Sequence, residues 1–104
     1  MLYMIVERYS KGPVPVYRRA SERGRMLPPG LRYLDSWVVD DEHLDRCFQL
    51  METDDVSLID EWIRSWADLG TFEIYPVISS SEAATRVGTY WSGDVGPSPA
   101  EDVR

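Results

Sequence analysis

The 104-residue chain holds one cysteine and one histidine, so few side chains in it can do covalent or metal chemistry. A lone Cys47 excludes an intramolecular disulfide, and a lone His43 excludes a two-histidine metal site and a haem held between two histidines. No glycine loop of the phosphate-cradling kind is present, and no serine sits in a nucleophile elbow. Basic residues are also scarce. Lys and Arg number 11 against 18 Asp and Glu, a net charge of -7, whereas nucleic-acid binding draws its affinity from lysine and arginine that release counterions. No nucleic-acid partner is expected. No stretch approaches the ~20 consecutive apolar residues of a membrane span, and the opening MLYMIVERYS has no basic n-region. These absences, with an unpaired cysteine that suits a reducing compartment, lead to the expectation of a cytoplasmic protein with no membrane partner.

The residues present describe one domain. A hydrophobic share of 43% over this length is enough for a single core, and a domain of this size buries roughly two thirds of its unfolded surface. "LYMIVERY" (2 to 9) is rich in branched and aromatic residues and runs into Gly12-Pro13, which predicts a strand and a turn. Pro13 and Pro15 suit a first helical turn, and Pro28-Pro29-Gly30 closes the helix that follows. Gly24 falls inside that predicted helix, which implies a close approach of another backbone there. "LRYLDSWVV" (31 to 39) and "LDRCFQLMET" (44 to 53) flank an acidic turn and predict an antiparallel hairpin. Asp54 and Asp55 offer an N-cap, and Val56, Ile59, Trp62, Ile63, Trp66 and Leu69 repeat at helical spacing until Gly70. "TFEIYPVIS" (71 to 79) is the fourth strand, and Pro76 confines it to a sheet edge or a bulge. The order strand, helix, strand, strand, helix, strand is the βαββαβ pattern of a ferredoxin-like α+β fold, with a four-stranded antiparallel sheet and both helices on one face. Residues 1–80 are expected to form this domain. Residues 81–104 should be an extension that opens with a short helix in "SSEAATR" and ends as a loose Gly, Ser and Pro-rich tail, with Tyr90 and Trp91 as an aromatic arm that docks on the body or on a neighbouring chain.

Strand alternation bears on assembly. The third strand carries Phe48 and Leu50 on one phase and Cys47 and Met51 on the other, and the first carries Tyr3 and Ile5 against Leu2, Met4 and Val6. Both faces read as buried, yet two helices cover only one. A soluble monomer rarely exposes so large an apolar face, so a homodimer packed through the sheet is expected.

The blocks "MLYMIVERY", "PVYRRASERGRMLPPGLRYLDSW", "CFQLMETDD" and "DEWIRSWADLGTFEIYPV" resemble those of a family of short bacterial proteins catalogued as domain of unknown function 3303, over roughly the first eighty residues. That family resembles the dimeric α+β barrel group, which includes cofactor-free monooxygenases, muconolactone-type isomerases, haem-dependent chlorite dismutases and amino-acid-binding regulatory domains. The resemblance implies a dimeric α+β barrel. It carries no established activity and no catalytic residues.

Candidate site residues follow from the polar interruptions and the aromatics. Gln49 shares its strand phase with Cys47 and Met51, and a buried amide left unpaired costs ~1 to 3 kcal/mol, so it needs partners: a tyrosine hydroxyl such as Tyr3 or Tyr33, a group across a dimer interface, water or a ligand. Tyr33, Trp37, Gln49, Met51 and Tyr17 are the expected lining of a cleft between sheet and helices. With so few ionisable groups in view, that cleft suits a flat organic ligand without a cofactor. Arg18, Arg19, Arg23 and Arg25 read as the solvated face of the first helix, and His43 as part of a charged turn. Cys47 reads as an inert buried thiol. Two functional readings stand: a small-organic-ligand-binding homodimer, and a cofactor-independent monooxygenase- or isomerase-like enzyme acting on an aromatic or electron-rich molecule.

Overall fold

A computed structural model of the protein describes residues 1–91; the predicted loose tail that follows lies outside the described residues. The elements run β1 (Leu2–Tyr9), α1 (Pro13–Arg23), β2 (Arg32–Val38), β3 (Arg46–Glu52), α2 (Ser57–Arg64), β4 (Gly70–Val77) and α3 (Ser80–Gly88). The four strands form one sheet in the order β2-β3-β1-β4, and every neighbouring pair is antiparallel. This is the ferredoxin-like arrangement expected from the element order. β4 lies at the edge, where the missing N–H of Pro76 is tolerated. α3 is the expected short helix, capped where Ser79 Oγ accepts from the Glu82 N–H at 3.0 Å.

α1 and α2 each end sooner than their sequence pattern suggests. α1 stops at Arg23, and Gly24 adopts φ 68° as its C-cap while its N–H returns to the Ala20 carbonyl at 2.8 Å. The expectation that Gly24 marks a close backbone approach is therefore corrected, since a Cβ there would meet nothing within 4 Å. The glycine serves its left-handed conformation. Gly70 is the position where close approach decides: a Cβ would stand 2.5 Å from the Arg8 carbonyl oxygen, at the point where β4 joins β1. α2 begins with Asp55 Oδ1 accepting from the Ser57 N–H at 3.0 Å and from its hydroxyl at 2.6 Å, and it ends at Arg64. Trp66 and Leu69 thus arrive on the following turn, yet both are buried.

The pairing register divides the sheet into two faces. Ile5, Glu7 and Tyr9 share one face with Cys47, Gln49 and Met51 and with Phe72 and Ile74. Both helices pack on that face. Ile59 and Trp62 of α2, with Val16 and Ala20 of α1, meet Ile5 and Met51 in a single core, in which Ile5, Met51 and Ile59 are fully buried. α1 is held over the sheet by Arg19, which makes a two-pronged ion pair with Asp68 at 2.7 Å per prong and donates to the Ser65 carbonyl at 2.9 Å. Leu2, Met4, Val6, Phe48 and Leu50 lie on the opposite face, which carries neither α1 nor α2, and they are only half-buried.

One irregularity shapes the face that matters. Tyr33 pairs with Met51, but Asp35 rather than Leu34 pairs with Leu50, so Leu34 is an extra residue, a β-bulge. Side chains after it change sides relative to simple alternation. Tyr33, Ser36 and Val38 consequently face the helices, while Asp35 and Trp37 face the other way.

Candidate functional site

A cavity of about 430 Å³ opens between the sheet, α1 and the turn after α2. Its volume lies in the ~300–1,000 Å³ range of small-molecule sites. Glu7 of β1 and Cys47 and Gln49 of β3 form its floor, because their strand phase points them at the helices. Trp62 and Trp66 form a wall, and Tyr17, Arg25, Ser36 and Val38 stand around the rim. A second hollow of about 320 Å³, bounded by Val14 and Leu44, shares Tyr17 and Val38 with the first and extends its mouth.

The floor is chemically distinctive. Glu7 is only 5% exposed and Gln49 only 7%. Burial raises the Glu7 carboxyl to about 7, with the Gln49 hydrogen bond and the Arg25 charge opposing the rise. The Gln49 Nε2–H group donates to Glu7 Oε1, and among the described residues nothing donates to Glu7 Oε2. Gln49 Oε1 is buried without a partner. Gln49 Oε1 is thus an enclosed acceptor without a partner, whereas buried polar atoms are normally paired, and Glu7 Oε2 is a second oxygen without a donor. Burial pushes the neighbouring Cys47 thiol up to about 11 and raises Tyr9 and Tyr17 as well. Glu7 is accordingly the floor group that exchanges a proton near neutrality, and the thiol is no nucleophile.

The rim is organised by the segment after α1. Both indole N–H groups, from Trp62 at 2.8 Å and Trp66 at 3.2 Å, donate to the Arg25 carbonyl. The Arg25 guanidinium lies over the Tyr33 ring at 3.5 Å, a cation–π contact, and reaches Ser36 Oγ at 3.5 Å. Tyr33 in turn shares a 2.7 Å hydrogen bond with Ser36. Tyr17, half-exposed, stands edge-on to Tyr9 with ring centres 6.5 Å apart.

Of the residues expected to line a cleft, Gln49 and Tyr17 line this cavity. Tyr33 stands behind it and supports Arg25 and Ser36. Met51 is fully buried in the core, and Trp37 is half-exposed on the opposite face, turned there by the bulge. The partner of Gln49 is the Glu7 carboxylate rather than a tyrosine hydroxyl: Tyr3 OH reaches only Met1 Sδ, at 3.5 Å. Glu7 and Arg25 are the residues that sequence reasoning missed. A signal for Glu7 existed in its strand, since Tyr3, Ile5, Glu7 and Tyr9 share one phase and place the acid on the core side. Arg25 looked like part of a solvated helix face, but the chain leaves the helix at Gly24 and carries Arg25 to the rim. His43 is exposed beside Glu42, as the charged turn implied. Among the described residues no group of three or more His, Cys, Asp or Glu is placed to hold a metal.

A small antiparallel α+β domain with a carboxylate–amide pair on the floor of an aromatic cavity is the class that fold and site define. The family described as domain of unknown function (DUF3303) matches residues 1–90, and the chain belongs to that family. The match includes α3. No curated protein and no solved structure gives a significant match to the chain. No described helix is long and apolar enough to cross a membrane.

Proposed function

We propose that the protein is a homodimer that binds a small organic molecule in the cavity between its sheet and α1. The observation that carries the ligand reading is the cavity floor: a buried carboxylate and amide, with two uncommitted oxygens, beside a space of about 430 Å³. A buried polar pair stabilises a fold only when its members are satisfied, and a ligand completes the set that the protein leaves open. The face that carries neither α1 nor α2 supports the dimer. Met4, Leu50 and Phe48 line up across β1 and β3 there, beside Trp37 and Tyr75, which are about half-exposed. A dimeric α+β barrel made by joining two such faces leaves each cavity on the outside of the joined sheets. The cytoplasm suits a chain with one buried, unpaired cysteine.

Native mass spectrometry of the purified protein tests both parts at once. The expected species is a dimer carrying an additional small mass on each chain. Leu50→Arg, which places a charge in the centre of the open face, should shift the dimer to monomer at micromolar concentration and leave the cavity intact. A wild-type monomer at that concentration would sink the dimer, and a bare dimer that gains no mass from cell extract would sink the ligand reading.

A second reading, an isomerase-like enzyme, is favoured by one observation. A carboxyl held at about 7 suits a general base, because its proton affinity matches neutral conditions. Solvent deuterium entering the bound molecule, and ceasing to enter in Glu7→Gln, would support it.

A further inference from the structure

We infer that the cavity selects flat aromatic molecules bearing a hydroxyl group, which is seated on Glu7 Oε2. This inference rests on the reading of the cavity as a ligand site and adds the chemical class of its occupant.

The polarity of the site dictates the orientation. Its floor offers an oxygen: Glu7 Oε2 receives no hydrogen bond from the described residues and is not among the enclosed atoms, whereas the unpaired Gln49 Oε1 is enclosed. A phenolic hydroxyl donates to Glu7 Oε2. It also accepts, so it fits Glu7 in both protonation states, whereas an ether can only accept and a carboxylate would meet like charge. Above the floor the walls are apolar and planar, with Trp62, Trp66 and Val16 presenting no free polar atom, because both indole N–H groups are committed to the Arg25 carbonyl. A ring fills that layer. The exposed rim ends in the Arg25 guanidinium, whose charge favours an electron-rich far edge of the same ring system.

The test uses 2-naphthol and its methyl ether, 2-methoxynaphthalene, titrated separately into the purified protein and followed by fluorescence and calorimetry. The naphthol should bind at least about tenfold more tightly than the ether, since a site built for a hydroxyl leaves its oxygen unpaired when the hydrogen is missing. Glu7→Leu should remove that preference, the naphthol and the ether then binding with similar affinity. Circular dichroism and thermal melting establish that the variant is folded, and Glu7→Met, which keeps the length and removes both oxygens, takes the place of Glu7→Leu if the latter does not fold. Equal affinity for the two probes, or a preference that survives in the folded variant, would overturn the inference while the cavity remained a ligand site. Binding of neither probe also overturns it, and the native mass experiment then decides separately whether the cavity holds another class of molecule.

Discussion

Glu7→Gln should be more stable than the natural protein at about pH 8, by up to ~3 kcal/mol, and nearly equal to it at about pH 4. The reason is the raised carboxyl, about 7 in the folded chain against an ordinary 4.5. Below 4.5 the group is protonated in both states and contributes no difference. As pH rises from 4.5 to 7 the unfolded chain loses its proton first, so the stability contribution of the protonated, folded form is lost progressively. Above 7 the folded chain holds a buried charge and the loss is complete. Glutamine keeps the shape and a hydrogen bond to Gln49 but has no proton to lose. Urea denaturation of both proteins across this pH range should give a declining curve for the natural chain and a flatter one for the variant. Two parallel curves would show that Glu7 titrates like an exposed acid, and the account of the cavity floor would fail with it. A stabilising substitution at a buried acid also carries functional meaning, because sites kept at the expense of stability are commonly binding or reaction sites.

Trp62→Ala should have the largest effect on the fold, a loss of ~3–5 kcal/mol against a total stability of ~5–15 kcal/mol for such domains. The side chain is 2% exposed, meets Phe72 edge-on with ring centres 5.9 Å apart, and donates to the Arg25 carbonyl. Truncation therefore opens a void beside an existing cavity and weakens the hold on the rim segment. Trp62→Phe separates the two contributions: it retains most of the volume and loses the N–H, which is worth ~1 kcal/mol. Urea midpoints for the pair measure the difference. If alanine and phenylalanine prove equally harmful, the hydrogen bond to Arg25 rather than packing dominates at this position.

The architecture was legible from sequence because each element carries its own punctuation. Prolines at the start of α1, the acidic turn between β2 and β3, and Gly70 at the start of β4 set the order of elements, and Pro76 announced the edge strand. The site was legible only in part. Gln49 stood out as a lone amide in an apolar strand, but its partner lies 42 residues earlier, and only the strand register brings Glu7 across from Cys47 and next to Gln49. Tyr17 was found as part of the apolar stripe of α1. Trp37 was misplaced for a different reason: a bulge leaves no periodic trace in a seven-residue strand, so parity counted from Tyr33 pointed Trp37 into the cleft. Arg25 was misjudged because helical spacing was carried past the glycine that ends the helix.

The bulge at Leu34 gives this chain a tolerance that ordinary strands lack. In evolutionary terms, loss of the Leu34 codon would restore a regular ladder, with Tyr33 still opposite Met51, Asp35 opposite Leu50 and Ser36 opposite Gln49. Nothing after the deletion would change sides. Loss of the Ser36 codon is a different event, since with the downstream pairs held Tyr33 stays opposite Met51, Leu34 takes the place opposite Leu50 and Asp35 moves across to face Gln49, a second acid set against the Glu7 floor. Length variation among relatives that keep this bulge should therefore gather at Leu34 rather than at Ser36.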